Sequence, residues 1–262
     1  MSEPAPDRYD LYERAAQSPD MQARFLRALH EAPAGEPVTL GEDFCGTGAV
    51  ARAFLALDPR HRAVCVDRDP EPLERLRRLA GDEPRLAVVR GDAAEADAPA
   101  GIIAALNFSI GERRTREDLL AYLRAARSRL VEQAGAPGVM VLDVYGGTDA
   151  FVTGESEVEL RDGVRYVWEQ RHADPLTGMV ENAMHFLPAE GPELRDAFVY
   201  HWRLWSVPEL ADALAEAGFA RLAVYDRFGD CIDDAGRVYP WPVTNPDELD
   251  ENFVVYIAAW TR

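Results

Sequence analysis

The sequence contains no lysine, and all 28 of its basic residues are arginine. A lysine Schiff base, a pyridoxal anchor and a lysine-bearing phosphate loop are therefore excluded. Cysteine is scarce as well. Cys45, Cys65 and Cys231 share no CxxC spacing and, being three, cannot all pair within the chain. That excludes a zinc ribbon and a disulfide framework and suits a reducing compartment. No run approaches the roughly 18 apolar residues of a membrane span, and residues 1–7 are polar and proline-rich, unlike a secretory leader. A cytoplasmic protein is expected. Positive charge is outnumbered, 28 basic residues against 46 acidic, so the net charge is −18. Such a field repels phosphate polyanions, and neither nucleic acid nor a membrane is an expected partner.

What is present is a core-forming composition, 47% apolar over 262 residues, read as one domain over 1–262. Ser18-Pro19-Asp20 marks a helix start, and Met21, Phe25, Leu26 and Leu29 follow at helical spacing. From Val38 onward, short apolar strands alternate with helices. The strands are expected over 38–40, 63–66, 86–89, 102–106 and 139–144. This alternation predicts a parallel, doubly wound sheet. After Gly147 the period becomes strand and strand, with turn signals at Asp162-Gly163, Asp174-Pro175-Leu176-Thr177-Gly178 and Gly191-Pro192. An antiparallel insert over 151–205 is expected. A capping box at Ser206 and Glu209 resumes the helical pattern, and strands over 222–226 and 253–260 close the chain.

The strongest local signal is Gly46-Thr47-Gly48 between a strand and a helix, where bare backbone and free helix amides can meet a ligand's polar groups. Gly46, Gly48 and Ala51 satisfy G-x-G-x-x-A, and Asp67 lies where a dinucleotide fold has its ribose acid, so a nicotinamide-dependent oxidoreductase is one reading. Three further features bear on the choice. Glu42 and Asp43 stand directly before the glycines, where they favour a ligand carrying an ammonium group over a phosphate. Asp67 ends the second strand, where a carboxylate can accept two hydrogen bonds from a ribose diol. Asp92 ends the third, where it or the Ala93 amide can meet an adenine edge. Together these residues bracket a cationic nucleoside.

On these residues the chain resembles the class I S-adenosylmethionine-dependent methyltransferases. The resemblance covers Glu42-Asp43-Phe44-Cys45-Gly46-Thr47-Gly48, Val66-Asp67-Arg68-Asp69-Pro70, Gly91-Asp92-Ala93, Asn107-Phe108-Ser109 and the two terminal strands. It implies a Rossmann-like, mostly parallel seven-stranded sheet, S-adenosyl-L-methionine as cofactor and S-adenosyl-L-homocysteine as product. It also implies the loop around Cys45, Gly46 and Gly48 beside the methionine moiety, Asp67 with neighbouring Arg68 at the ribose, and Asp92 with Ala93 at the adenine. Glu42 takes the place of the motif acid. Phe44 stands where the family usually has Gly or Ala, so Asp43 is expected to share that role. Tyr12 lies on a segment that in this family closes over the cofactor, and Asn107 stands where relatives contact cofactor or acceptor amine.

The insert is similar to the antiparallel flap of small-molecule N- and O-methyltransferases, including the amino-sugar and glycine N-methyltransferase types. Its aromatics Tyr166, Trp168, Phe186, Phe198, Tyr200, Trp202 and Trp205 are read mainly as the flap's own core. Arg203 and His201 are the preferred acceptor-site residues, and His201, ahead of His172 and His185, is the expected base. His30 and His61 are read as structural. No metal is expected, because Asp230, Asp233 and Asp234 match no calcium loop. The resulting expectation is methyl transfer to a small, cationic acceptor through an amine or hydroxyl, in a chain compatible with a homodimer. An NAD(P)-dependent oxidoreductase and a non-catalytic S-adenosylmethionine-binding regulatory module remain the alternatives.

Overall fold

The computed structural model describes residues 7–262 except 227, 229, 230 and 235, so Asp230 lies outside the described residues. In chain order, α1 (Arg8–Ala16) and α2 (Pro19–Leu29) precede β1 (Thr39–Asp43), α3 (Ala49–Leu57), β2 (Arg62–Asp67), α4 (Pro70–Ala80) and β3 (Leu86–Arg90). Then come β4 (Ile102–Ala105), α5 (Arg116–Arg129) and β5 (Val139–Gly147). The insert supplies β6 (Gly154–Glu159), β7 (Arg165–Asp174), β8 (Met179–Leu187) and β9 (Leu194–Arg203). Next are α6 (Val207–Glu216), β10 (Arg221–Tyr225), a small hairpin of β11 (Cys231–Ile232) and β12 (Val238–Tyr239), and β13 (Asn252–Trp260).

Local chemistry explains these boundaries. Asp69 accepts from the Glu71 amide and Pro70 fills the first turn of α4, while Gly81, at φ +56°, ends it. The expected capping box of α6 forms between Ser206 and Glu209. Ser18 makes no side-chain cap bond; the start of α2 relies on Pro19 and on Gln22, which accepts from the Ser18 amide at 3.2 Å.

Seven strands form one sheet in the order β10-β13-β5-β4-β1-β2-β3. It is parallel through β3, β2, β1, β4 and β5, and β13 enters antiparallel to both neighbours. This is the doubly wound α/β sheet expected from the alternation. Both faces are covered, which is why β4 is apolar throughout and β2 and β5 are largely so, with Glu42, Asp43 and Asp143 as buried acidic exceptions on β1 and β5. Phe25 and Leu26 of α2, Val50 and Phe54 of α3 and Leu73 and Leu76 of α4 cover one face. Leu119 and Leu123 of α5 with Leu210 and Leu214 of α6 cover the other. The winding reverses between β1 and β4, so a crevice opens at the carboxyl ends of these strands.

β6 to β9 form a separate four-stranded antiparallel flap. Its inner face shares an apolar cluster with α1, in which Leu11 meets Val164, Met184, Phe186 and Ala197. Ion pairs hold the same helix to the opposite wall of the crevice: Arg75 of α4 pairs with Asp7 and Asp10, and Arg52 of α3 with Glu13 at 2.8 Å. Among the described residues no helix is long and apolar enough to cross a membrane.

Candidate active site

The turn after β1 is built on three alternate left-handed residues and a backbone bond to β2. Phe44 (φ +55°), Gly46 (+52°) and Gly48 (+63°) are all left-handed, and Cys45 donates its amide to Val66 O at 3.0 Å. The two glycines do different work. A Cβ on Gly48 would lie 2.8 Å from the Leu76 methyls, so that position lets α3 and α4 pack. A Cβ on Gly46 would meet nothing within 4 Å, because Gly46 faces open space.

That space is a cavity of about 680 Å³ at the carboxyl edge of the sheet. Its wall contains Phe44, Cys45, Gly46 and Thr47 from the loop, Asp67 and Arg68 after β2, Gly91 and Ala93 after β3, and Asn107 after β4. Tyr9 and Tyr12 of α1 and Phe198, Tyr200 and Trp202 of β9 complete it. Asp67 is anchored there by backbone: Gly46 N donates to Oδ2 at 2.7 Å and Asp69 N to Oδ1 at 2.9 Å. Each oxygen keeps acceptor capacity for a ligand.

A second cavity, of about 960 Å³, lies under the flap and shares Tyr12, Asn107, Tyr200 and Trp202 with the first. Tyr166 and Trp168 of β7, Asp143 and Tyr145 of β5, Phe108, and Phe253 and Tyr256 of β13 line it. Both volumes are of the size that takes small molecules. Tyr200 and Trp202 stack with centroids 4.2 Å apart, so the shared wall is a rigid aromatic platform.

Several sequence expectations change here. Asp43 does not reach the crevice. It is fully buried in a two-pronged ion pair with Arg129 (2.9 and 3.0 Å) and accepts from the Tyr122 hydroxyl at 3.0 Å, so its oxygens are committed. Glu42 is buried as well and accepts from the Ala51 amide at 2.7 Å, capping α3 from beneath the loop; burial pushes its carboxyl up to about 8. Neither acid is placed to meet a ligand's ammonium group. Gly48 likewise serves packing rather than the cavity wall. Asp92 turns to Arg113, which donates from both terminal nitrogens, and to the Ala94 amide at 2.8 Å; the guanidinium holds its carboxyl below the ordinary range. The neighbouring Gly91 and Ala93 face the cavity instead.

The flap aromatics divide their labour between core and cavity, since Tyr166, Trp168, Phe198 and Tyr200 pack against the flap's own cluster while also facing the cavities. Tyr166, Trp168, Phe198, Tyr200 and Trp202 line the cavities, whereas Phe186 is in the flap's own cluster and Trp205 in the main core. His201 and Arg203 lie on the outward face of β9. The His201 ring is 56% exposed and 3.6 Å from Glu181, and Arg203 lies over the Trp205 ring at 3.8 Å. A strand has two faces, and the aromatic one turned inward, so His201 is corrected as the base and Arg203 as an acceptor contact. His185 is buried behind the flap between Glu169 (3.0 Å) and the Asp196 amide (2.8 Å). Arg171 pairs with both of those acids, which fills the position a cation would need. His30 and His61 are buried, and His61 stacks on Phe54 and accepts from the Val38 amide at 3.1 Å.

Sequence reasoning missed Asp143. A charged residue inside the apolar run Val139–Val144 of a central strand was the available signal. The partners Arg113, Tyr122 and Arg129 carried no such signal, because nothing local marks them.

No protein-family model matches the chain. Among curated proteins, it is 42% identical over 77 residues to ribosomal RNA small subunit methyltransferase H of Rubrobacter xylanophilus, a match covering 29% of this chain and 24% of that protein. Solved structures match over nearly the whole length. An S-adenosylmethionine-dependent methyltransferase from Clostridium acetobutylicum superposes with TM-score 0.69 at 15% identity, over 97% of this chain and 98% of that one. The CcbJ methyltransferase from Streptomyces caelestis gives 0.68 at 21%, over 97% and 96%. The amino pentose methyltransferase CalS10 from Micromonospora echinaspora, solved with its cofactor, gives 0.68 at 18%, over 100% of both chains. The chain therefore has the fold of the S-adenosylmethionine-dependent methyltransferases.

Proposed function

We propose that this chain is an enzyme that transfers a methyl group from S-adenosyl-L-methionine to a small-molecule amine or hydroxyl, releasing S-adenosyl-L-homocysteine. The observation that carries this reading is the pair of cavities joined through Tyr12, Asn107, Tyr200 and Trp202. One meets the glycine loop and the tip of β2, and the other is enclosed by aromatics under the flap. The residues present suit the cofactor: Gly46 and Gly91 leave open space where a Cβ would stand, and Asp67 has acceptor capacity on both oxygens. In this reading Asp67 accepts from the ribose hydroxyls, the backbone of Cys45 and Gly46 flanks the methionine moiety, Gly91 and Ala93 flank the adenine, and Arg68 forms the rim. Arg113 keeps Asp92 ionised and in place beside them.

Bound S-adenosylmethionine supplies an electrophilic methyl group on a sulfonium. The chain's task is to hold the acceptor's lone pair behind that carbon and keep water out. Tyr12, Asn107, Tyr200 and Trp202 do this from the shared wall, with the flap over 151–205 and α1 as the cover. A regulatory module without turnover would have no use for the second, aromatic cavity.

Calorimetric titration with S-adenosylhomocysteine, S-adenosylmethionine and NAD tests the reading. Heat with the first two and none with NAD is expected, and heat with NAD alone overturns it. A methylated product found by mass spectrometry in an acceptor screen removes the regulatory alternative.

A further inference from the structure

Asp143 is the one buried aspartate of the crevice whose charge has no protein partner among the described residues. It is 3% exposed, and its oxygens accept only backbone amides, Oδ2 from Asn107 at 2.9 Å and Oδ1 from Phe108 at 2.7 Å. Those bonds hold two successive left-handed residues, Asn107 (φ +58°) and Phe108 (+61°), at the boundary of the two cavities. One lone pair on each oxygen remains. Asp43, buried on the neighbouring part of the sheet, has Arg129 to balance it; Asp143 has no such counterpart, and a buried, unbalanced carboxylate is unfavourable until a cation arrives.

We propose that Asp143 receives the acceptor's ammonium group in the flap cavity and takes its proton, so that the methyl acceptor is an amine rather than an alcohol. This rests on the methyltransferase reading above. The rest of the cavity suits a cation, since Tyr145, Trp168, Tyr200 and Trp202 present aromatic rings, whose faces attract ammonium groups. Tyr145, Tyr166, Asp149 and Glu155 also line the cavity, and Tyr12 from α1 and Tyr256, the register partner of Asp143 on β13, interact electrostatically with Asp143. Burial raises both phenols, so both stay neutral and leave the carboxylate unbalanced. Burial also pushes the Asp143 carboxyl up to about 7. That is roughly three units from an alkylammonium near 10 but roughly nine from a hydroxyl near 16, so proton transfer is within reach for an amine only. The step balances: the ammonium proton passes to Asp143, the freed nitrogen pair forms the bond to the donated methyl, and the pair of the broken carbon–sulfur bond stays on sulfur.

The test uses tetramethylammonium, which cannot be methylated, against its neutral near-isostere neopentyl alcohol, in NMR titrations of the full chain. At pH 8.5 the cation is expected to bind at least about tenfold more tightly. That preference should fall about tenfold by pH 5.5, as Asp143 protonates, and should be absent in Asp143→Asn. Equal affinity for the two probes, a preference unchanged by pH, or one that survives in Asp143→Asn overturns the proposal. Should that variant fail to fold, the pH dependence is read in Glu42→Gln, which removes another carboxyl raised into this window; a preference that still falls there supports the proposal and one that no longer changes with pH overturns it. S-adenosylhomocysteine titrated in parallel separates the two readings: its binding without a cation preference defeats the amine assignment alone, and its failure to bind defeats the methyltransferase reading.

Discussion

Three aspartates on the sheet, two at strand tips and one inside β5, have three different environments. Asp43 is neutralised by Arg129, Asp67 is held by backbone amides at an open edge, and Asp143 is enclosed without a counter-ion. Truncating Asp67 to alanine is expected to weaken S-adenosylhomocysteine binding by about 2–4 kcal/mol with little change in melting temperature, as calorimetry and thermal unfolding would read. Arg129→Ala should act in the opposite way, leaving Asp43 buried and unpaired and lowering unfolding stability by about 3–5 kcal/mol in urea. Glu42 gives a pH signature. Its folded carboxyl titrates near 8 against an ordinary 4.5, so the native state binds the extra proton in that window and stability falls as pH rises through it. Glu42→Gln should flatten the fall in melting temperature between pH 5 and pH 8.5. Asp67 was legible in the sequence because a strand end and a motif coincide there. The commitment of Asp43 was not, because its partner lies 86 residues away and is one arginine among 28.

At the scale of elements, the strand-turn-helix unit around Gly46-Thr47-Gly48 could be read directly from residue types, but the separate duties of its glycines could not. Gly48→Ala should destabilise by about 1–3 kcal/mol, since its Cβ strikes Leu76 in a left-handed backbone. Gly46→Ala carries only the backbone penalty and should instead weaken S-adenosylhomocysteine binding more than Gly48→Ala does. Thermal unfolding and calorimetry on the pair separate the two roles. β9 makes the same point on a larger element. Its alternation sorted Phe198, Tyr200 and Trp202 from Val199, His201 and Arg203, yet nothing in a period of two says which face looks inward. The docking of α1 decides it: Tyr12 meets Phe198 at 5.2 Å and fixes the aromatic face toward the crevice.

For the molecule as a whole, the doubly wound sheet and the inserted flap followed from the change of hydrophobic period, while the joining of two cavities depends on how flap, helix and sheet meet. A ligand that binds only the folded state stabilises it by about 2.7 kcal/mol at one hundred times its dissociation constant. S-adenosylhomocysteine at that level should raise the melting temperature by roughly 5–10 °C, and NAD at the same concentration should leave it unchanged. The attachment of α1 adds a further consequence. It grips the flap through Leu11 and Tyr12 and the sheet domain through Asp7, Asp10 and Glu13 with Arg75 and Arg52. The flap grip is mainly apolar with one ion pair, Arg14 with Asp162, whereas the sheet grip is electrostatic throughout and weakens more as dissolved ions accumulate. Stopped-flow exchange of a fluorescent adenosine analogue is therefore expected to quicken as sodium chloride is added, because salt loosens the cover that α1 forms over the first cavity.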